Sequence, residues 1–85
     1  MRLRGDNLTW REIDGDLVIL DLRSSTYLTA NASATLLMKQ LIEERSAGEL
    51  VHSLVTAFGI RQQQAEHDVQ AFLDDLEGSD LLETA

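Results

Sequence analysis

The spacing of hydrophobic residues changes at Thr26–Asn31, and this change divides the chain into two parts. Before this stretch apolar residues alternate with other residues, which is typical of β-strands, whereas after it they recur at the spacing of amphipathic helices. Asp14-Gly15 predicts a two-residue type I′ turn between two strands. The second of these strands is apolar on both faces, which favours a central position in the sheet. The predicted strands are Leu8–Ile13, Asp16–Leu22 and Thr26–Ala30.

Three amphipathic helices are predicted after the strands. Asn31 is expected to cap the first helix, Ser46 and Glu49 to form a capping box at the second, and Gly59 to end it. The helices are expected from Ala32 to about Glu44, from Ser46 to Phe58, and from about Gln62 to Glu77. Their apolar stripes are Ala34, Leu37, Met38, Leu41 and Ile42; Leu50, Val51, Leu54, Val55 and Phe58; and Ala65, Val69, Phe72, Leu73 and Leu76. Leu81 and Leu82 are expected to fold back onto the core.

These elements predict an α+β fold in which a three-stranded antiparallel sheet is followed by three helices. The second and third helices are joined by a short turn that contains Gly59, so the fold is expected to be winged helix-turn-helix-like. Consecutive strands usually pair, and this pairing leaves Thr26–Ala30 at a sheet edge. Trp10 is expected to anchor the sheet to the core. The length predicts a single domain that covers residues 1–85.

The charge distribution argues against nucleic-acid binding. The net charge is −8, with 15 acidic and 7 basic residues. The third helix would be the recognition helix of a DNA-binding protein, but it is dominated by carboxylates. Phosphate binding depends on Lys and Arg, so such a helix would be repelled from DNA. The acidic residues of the third helix are Glu66, Asp68, Asp74, Asp75 and Glu77.

No pattern in the sequence indicates catalysis, a metal or a cofactor. His52 and His67 lie on different predicted helices without metal-ligand spacing, and the chain has no cysteine. Asp74 and Asp75 are adjacent on a helix and therefore point in different directions. No apolar run approaches the roughly 20 residues that span a bilayer. We therefore expect a non-enzymatic cytoplasmic protein that does not enter a membrane.

The strand Thr26–Ala30 is the candidate functional element. Open sheet edges are usually protected by charge, proline or a bulge, and this stretch contains neither a charged residue nor a proline. One interpretation is that a helix or a second copy of the chain covers the edge. The functional interpretation is that a peptide adds a strand to it, while neighbouring pockets select side chains. Under this second interpretation, Leu28→Pro is expected to remove an edge amide, strain the strand and sharply weaken peptide binding.

An ordered set of residues along most of the chain resembles the PqqD-like proteins, which recognise precursor peptides in the biosynthesis of ribosomal peptide natural products. The resemblance is greatest to the stand-alone type of lasso-peptide pathways. It extends from about Leu8 to Leu82. The residues that carry it are Trp10, Asp14–Leu22, Tyr27, Asn31, Leu37, Leu41, Glu49–Val51, Leu54, Asp68-Val69, Phe72-Leu73, Leu76, Gly78 and Leu81-Leu82.

The resemblance implies a specific function without chemistry. Such proteins bind the leader segment of the precursor as an antiparallel strand, in a groove between the edge strand and the third helix. They present it to a transglutaminase-like cysteine leader peptidase and an ATP-dependent macrolactam synthetase. Lasso leaders carry a Tyr-x-x-Pro stretch followed by a Leu, so apolar pockets are expected. The implied peptide-binding residues are Tyr27, Leu28, Thr29, Ala30, Asp68, Val69, Phe72, Asp75 and Leu76.

Two alternatives remain open from the sequence. The chain is compatible with an adaptor for another enzyme that modifies ribosomal peptides, such as a radical or cyclodehydratase type. It is also compatible with a dimerising winged-helix module that binds protein, in which Thr26–Ala30 pairs with a second copy.

Overall fold

The computed structural model describes residues 1–83, in which two small antiparallel sheets accompany three helices. The strands are β1 (Arg2–Leu3), β2 (Leu8–Ile13), β3 (Asp16–Asp21), β4 (Thr26–Ala30) and β5 (Leu82–Glu83). The helices are α1 (Ala32–Gln40), α2 (Ala47–Phe58) and α3 (Gln62–Gly78). The predicted domain extends to residue 85, so its last two residues lie outside the described part of the chain.

The predicted three-stranded sheet is confirmed. β3 is central, and β2 and β4 pair with its two sides in antiparallel register. The turn between β2 and β3 contains Asp14 and Gly15, whose φ angles are 52° and 84°. Both angles are positive, as a type I′ turn requires. Across the sheet, Ile19 lies between Trp10 and Leu28.

The predicted cap residues define three helix ends. The Asn31 side chain accepts a hydrogen bond from the Ala34 amide at the start of α1. Ser46 and Glu49 form the reciprocal capping box of α2, and the Ser46 amide that donates to Glu49 lowers the pKa of its carboxyl. Gly59 ends α2 in the left-handed conformation with φ of 64°. These contacts satisfy backbone groups that a helix end leaves without partners.

The end of α1 differs from the prediction because the N-terminal strand packs beside it. The helix ends at Gln40, whereas the sequence indicated about Glu44. The amide of Leu3 in β1 donates to the carbonyl of Leu41 at 2.8 Å. Ile42 consequently lies outside the core with 49% of its surface exposed, although it continues the apolar stripe of α1.

A second sheet, formed by β1 and β5, is absent from the sequence prediction. Each strand has only two residues, which is too short to produce a recognisable alternation. Leu81, which precedes β5, is buried as expected, and Leu82 is partly buried. Residue Leu22 also differs from the prediction, since β3 ends at Asp21.

The core lies between the sheet and the three helices. Its buried apolar residues are Leu17, Ile19, Ala30, Leu37, Met38, Leu41, Leu50, Leu54, Ala65, Val69, Leu73, Leu76 and Leu81. The expectation that Trp10 anchors the sheet to this core is wrong, because 51% of its surface is exposed. The helices cover β3 and β4 and leave the β2 side of the sheet open. Phe58, at the end of α2, is also outside the core, with nearly half of its surface exposed.

Candidate functional site

β4 is an open edge within the described residues. It pairs with β3 on one side, and no described strand lies on its other side. Its five residues contain no charge and no proline. An edge of this kind presents backbone donors and acceptors to any chain that can align with it.

The directions of two hydrogen bonds fix how the backbone of β3 alternates. In an antiparallel pair, successive residues turn their amide and carbonyl groups alternately to the two sides. The Leu22 amide donates to the Asn7 carbonyl, on the β2 side, at 2.8 Å. The Leu17 amide donates to the Thr35 hydroxyl, on the β4 side, at 3.1 Å. The odd-numbered residues of β3 therefore direct their backbone amide and carbonyl groups toward β4.

This alternation identifies the backbone groups of β4 that face the open edge. The odd-numbered residues of β3 lie opposite Thr26, Leu28 and Ala30. These β4 residues consequently direct their amide and carbonyl groups to β3. Tyr27 and Thr29 direct theirs away from the sheet.

A groove runs beside this edge, between β4 and α3, and α1 forms its floor. We call it the β4–α3 groove. Its middle part has a volume of about 360 Å³. The side chains of Leu28, Phe72 and Leu76 make this part largely apolar, and Asp75 lies at its rim. The lining residues are Leu28, Thr29, Ala30, Ala34, Met38, Phe72, Asp75, Leu76 and Ser79.

The groove continues at both ends of β4. Toward Asn31 it continues into a more polar part of about 330 Å³, which shares Ala34, Phe72 and Asp75 with the middle. Toward Thr26 it narrows to about 30 Å³ and shares Leu28 with the middle. The Asn31 end is lined by Asn31, Ser33, Ala34, Leu37, Leu54, His67, Asp68, Ala71, Phe72 and Asp75, and the Thr26 end by Ile19, Asp21, Thr26, Leu28, Ser79 and Leu81.

The structure brings together most of the residues that the sequence singled out. Those that line the β4–α3 groove are Leu28, Thr29, Ala30, Asp68, Phe72, Asp75 and Leu76. The Tyr27 side chain projects from the outer face of the sheet with 70% of its surface exposed, although its backbone is at the open edge. Val69 is buried in the core and faces α2 rather than the groove.

Several lining residues were not predicted as site residues. Ala34 and Met38 form the floor, but on the sequence they belong to the core stripe of α1. Ser79 and Asp21 come from segments on either side of the groove that are distant in sequence. Of these residues, only Ala34 carries a sequence signal for the groove, because its small side chain leaves space between α1 and β4.

A buried ion pair lies behind the Thr26 end. The Arg4 guanidinium donates to the Asp21 carboxylate at 2.5 Å, and the two side chains are 6% and 11% exposed. The guanidinium also donates to the carbonyls of Asp80 at 2.9 Å and Asp6 at 3.1 Å. Burial favours a raised pKa for the Asp21 carboxyl, but hydrogen bonds from Arg4 and the Arg23 amide outweigh it and lower this pKa.

Other kinds of site receive no support from the described residues. Between residues 1 and 83, no three or more His, Cys, Asp or Glu side chains are placed to hold a metal ion. Over the same residues, no helix has the length and apolar character needed to cross a membrane. The acidic residues of α3 are mostly exposed, and two of them, Asp68 and Asp75, face the groove.

The fold and the groove thus define a small α+β domain with an open edge strand beside an apolar cleft. The model of the PqqD family, described as coenzyme PQQ synthesis protein D, matches residues 16–82. This match includes β3, β4, all three helices and the whole β4–α3 groove. The chain belongs to the PqqD family.

Two solved structures have the same fold. TbiB1 in complex with the TbiA(beta) leader peptide is 26% identical, with a TM-score of 0.89, and the match covers 100% of this chain and 98% of that one. Lasso peptide synthetase B1 complexed with the leader peptide is 25% identical, with a TM-score of 0.84, and the match covers 98% and 96%. Comparison with curated protein sequences finds no match.

Proposed function

We propose that this protein binds the leader segment of a ribosomally made precursor peptide as an added strand on β4. The observation that carries the proposal is the open backbone edge at Tyr27 and Thr29, directly beside the β4–α3 groove. A bound strand pairs its main chain with this edge while alternate side chains enter the groove. Membership of the PqqD family supports the same interpretation.

The similar structures give the proposal its ligand class. TbiB1 and the lasso peptide synthetase B1 are both complexes with leader peptides, and each matches nearly the whole of this chain. We therefore assign this protein to lasso-peptide biosynthesis. An adaptor for another class of modified ribosomal peptide is the runner-up, and the identity of the neighbouring biosynthetic genes distinguishes the two.

The groove supplies both affinity and selection in this proposal. Backbone bonds to Tyr27 and Thr29 hold the leader in register. Apolar leader side chains bury against Leu28, Phe72 and Leu76, and each is worth about 1.5–3 kcal/mol when fully buried. The ordering of a flexible leader costs about 2–5 kcal/mol and offsets part of this gain.

The carboxylates of the groove favour a positively charged residue in the bound peptide. Asp68 and Asp75 lie on one face of α3, and neither forms an ion pair within the described residues. They favour a leader with a basic residue near the Asn31 end. Such electrostatic complementarity acts more on the rate of association than on the final affinity.

The role we propose is presentation without catalysis. The protein acts as a single recognition domain in the cytoplasm and requires no cofactor. It delivers the leader to the transglutaminase-like cysteine leader peptidase and to the macrolactam synthetase. Nucleic acid is not a partner in this proposal, because the carboxylates of α3 would repel its phosphates.

The test is fluorescence polarisation with a labelled leader peptide from the precursor gene beside this one. The core segment of the same precursor is the control, and the molar mass in solution is measured in parallel. Saturable binding of the leader by a monomer, without binding of the core, supports the proposal. Absence of leader binding, or a dimer in which β4 pairs with a second copy, would overturn it.

A further inference from the structure

The Thr26 end of the β4–α3 groove is much smaller than the middle part. Its volume is about 30 Å³, compared with about 360 Å³ in the middle. A space of this size holds roughly one methyl group or one water molecule. The two parts therefore differ in the size of the side chain that each can receive.

The narrow end lies between two walls that are distant in sequence. One wall is the sheet, with Asp21 and Thr26, and the other is the segment after α3, with Ser79 and Leu81. The amides of Ser79 and Leu81 donate to the Asp75 and Leu76 carbonyls, so this wall is anchored to the end of α3, but these bonds do not reach Asp21 on the opposite wall.

Arg4 joins the two walls from behind. Its guanidinium donates both to the Asp21 carboxylate, on the sheet, and to the Asp80 carbonyl, in the segment after α3. The Arg4 amide also donates to the Leu81 carbonyl at 2.8 Å. Because the Arg4 side chain is only 6% exposed, this connection is protected from competition with water.

We propose that Arg4, by joining Asp21 to the segment after α3, limits the peptide side chain at the Thr26 end to the size of alanine or serine. The inference rests on the proposed binding of a leader strand at β4. A larger side chain would have to displace Ser79 and Leu81, which Arg4 ties to the sheet. Arg4 does not touch the peptide and is therefore a positioning residue.

The strand geometry converts this limit into a sequence rule for the ligand. Side chains that lie opposite Leu28 and Thr26 both point to the groove side of the sheet, because residues two apart share a face. The peptide residue opposite Leu28 enters the large middle part, and the residue opposite Thr26 enters the narrow end. The preferred ligand therefore has a large apolar residue and a small residue separated by one position.

The test begins with a substitution scan of the labelled leader peptide described above. Each leader position is replaced in turn by alanine and by phenylalanine, and the affinity for the wild-type protein is measured. We expect one position at which alanine is tolerated and phenylalanine weakens binding about tenfold or more. We expect it to lie two residues from a position at which alanine weakens binding.

Protein variants then connect this selectivity to Arg4. Arg4→Met removes the side-chain bonds to Asp21 and to the Asp80 carbonyl, and Arg4→Lys keeps a charge opposite Asp21 but lacks the fork that bonds two groups at once. In either folded variant the phenylalanine penalty is expected to fall below about threefold. Arg2→Met is the matched control, since Arg2 forms an exposed ion pair with Glu83. It is expected to retain the full penalty.

The outcomes separate this inference from the proposed function. If the wild-type protein binds no leader peptide, the proposed function fails and this inference fails with it. If leader binding is normal but every position tolerates phenylalanine, only the size limit is refuted. The role of Arg4 is refuted if folded Arg4→Lys retains the wild-type penalty, and this variant decides the question even where Arg4→Met does not fold.

Discussion

Leu28 lies directly opposite Ile19 in the antiparallel pairing of β3 with β4. The amide and carbonyl of Leu28 therefore point toward β3, while those of Tyr27 and Thr29 face the open edge. The sequence had indicated that Leu28→Pro would remove an edge amide, and the register shows that this expectation is wrong. The substitution instead removes a donor from inside the sheet.

Thr29→Pro is the substitution that tests the edge. Proline is tolerated in an edge strand where the missing amide faces outward, so the fold is expected to persist. The leader loses one backbone bond and meets the proline ring, and its affinity is expected to fall about tenfold or more. Fluorescence polarisation with the labelled leader measures the change.

Two further variants serve as controls for Thr29→Pro. Thr29→Val preserves the amide and the strand shape and is expected to bind the leader normally. Leu28→Pro is expected to lower the free energy of unfolding, because it breaks the pairing with Ile19. Normal leader binding by folded Thr29→Pro would show that the edge is not the binding site.

Phe72 and Leu73 are adjacent on α3 but belong to different surfaces. Phe72 lines the β4–α3 groove, whereas Leu73 is buried in the core. Phe72→Ala is expected to weaken leader binding by about tenfold or more, since an apolar contact is lost. Leu73→Ala is expected to reduce the free energy of unfolding by about 2–5 kcal/mol and to leave the affinity of the folded protein unchanged. Chemical denaturation and polarisation titrations distinguish the two effects, and equal effects of both substitutions would exclude a groove contact at Phe72.

Asp74 and Asp75 provide a similar matched pair for charge. Asp75 lies at the groove, whereas Asp74 accepts a hydrogen bond from Gln70 on the exposed side of α3. Asp75→Asn is expected to slow leader association about two- to fivefold at low salt, with less effect at high salt. Asp74→Asn is expected to change the rate little. Stopped-flow measurements at two salt concentrations test this. An equal effect of both substitutions would show that the overall negative charge of α3, and not the position of Asp75 at the groove, accelerates association.

Stability is expected to decrease in acid because several carboxyl groups have a lowered pKa in the folded state. The hydrogen bond from Arg23 lowers the pKa of Asp6, and the pKa values of Asp21 and Glu49 are also lowered. Their stabilisation is complete above the ordinary values of 3.8 for Asp and 4.5 for Glu. It is lost as the pH falls through the lower values of the folded state.

Thermal unfolding at a series of pH values measures this dependence. Tm is expected to change little near neutral pH and to fall below about pH 4. Asp21→Asn is expected to lower Tm at neutral pH, because it removes the nearest and only buried carboxylate partner of Arg4 among the described residues, and to make the acid decrease shallower. A Tm that rises in acid would show that these carboxyl groups do not stabilise the fold.

The main elements of the fold were predictable because their signals are local. The alternation before Thr26, the turn residues Asp14-Gly15 and the caps at Asn31, Ser46 and Gly59 each determine structure within a few neighbouring residues. Strand order followed from these elements, since short connections leave few ways to pair the strands.

The features that escaped prediction depend on contacts between distant segments. The pairing of β1 with β5 joins segments about 80 residues apart, and the packing of β1 beside the end of α1 accounts for the early end of that helix. The exposure of Trp10 depends on which strands the helices cover. At the narrow end of the groove, Arg4 bonds both Asp21 and the Asp80 carbonyl. The spacing of hydrophobic residues in the sequence gives no indication of these long-range contacts.

Amide hydrogen exchange of the isotopically labelled protein, measured by NMR with and without the leader peptide, tests the edge-strand model most directly. We expect the leader to slow exchange at the Tyr27 and Thr29 amides. The Leu28 amide, which already faces β3, is expected to change much less. If the leader binds while the Tyr27 and Thr29 amides exchange as freely as before, the peptide does not add a strand to β4 and the proposed mode of recognition is wrong.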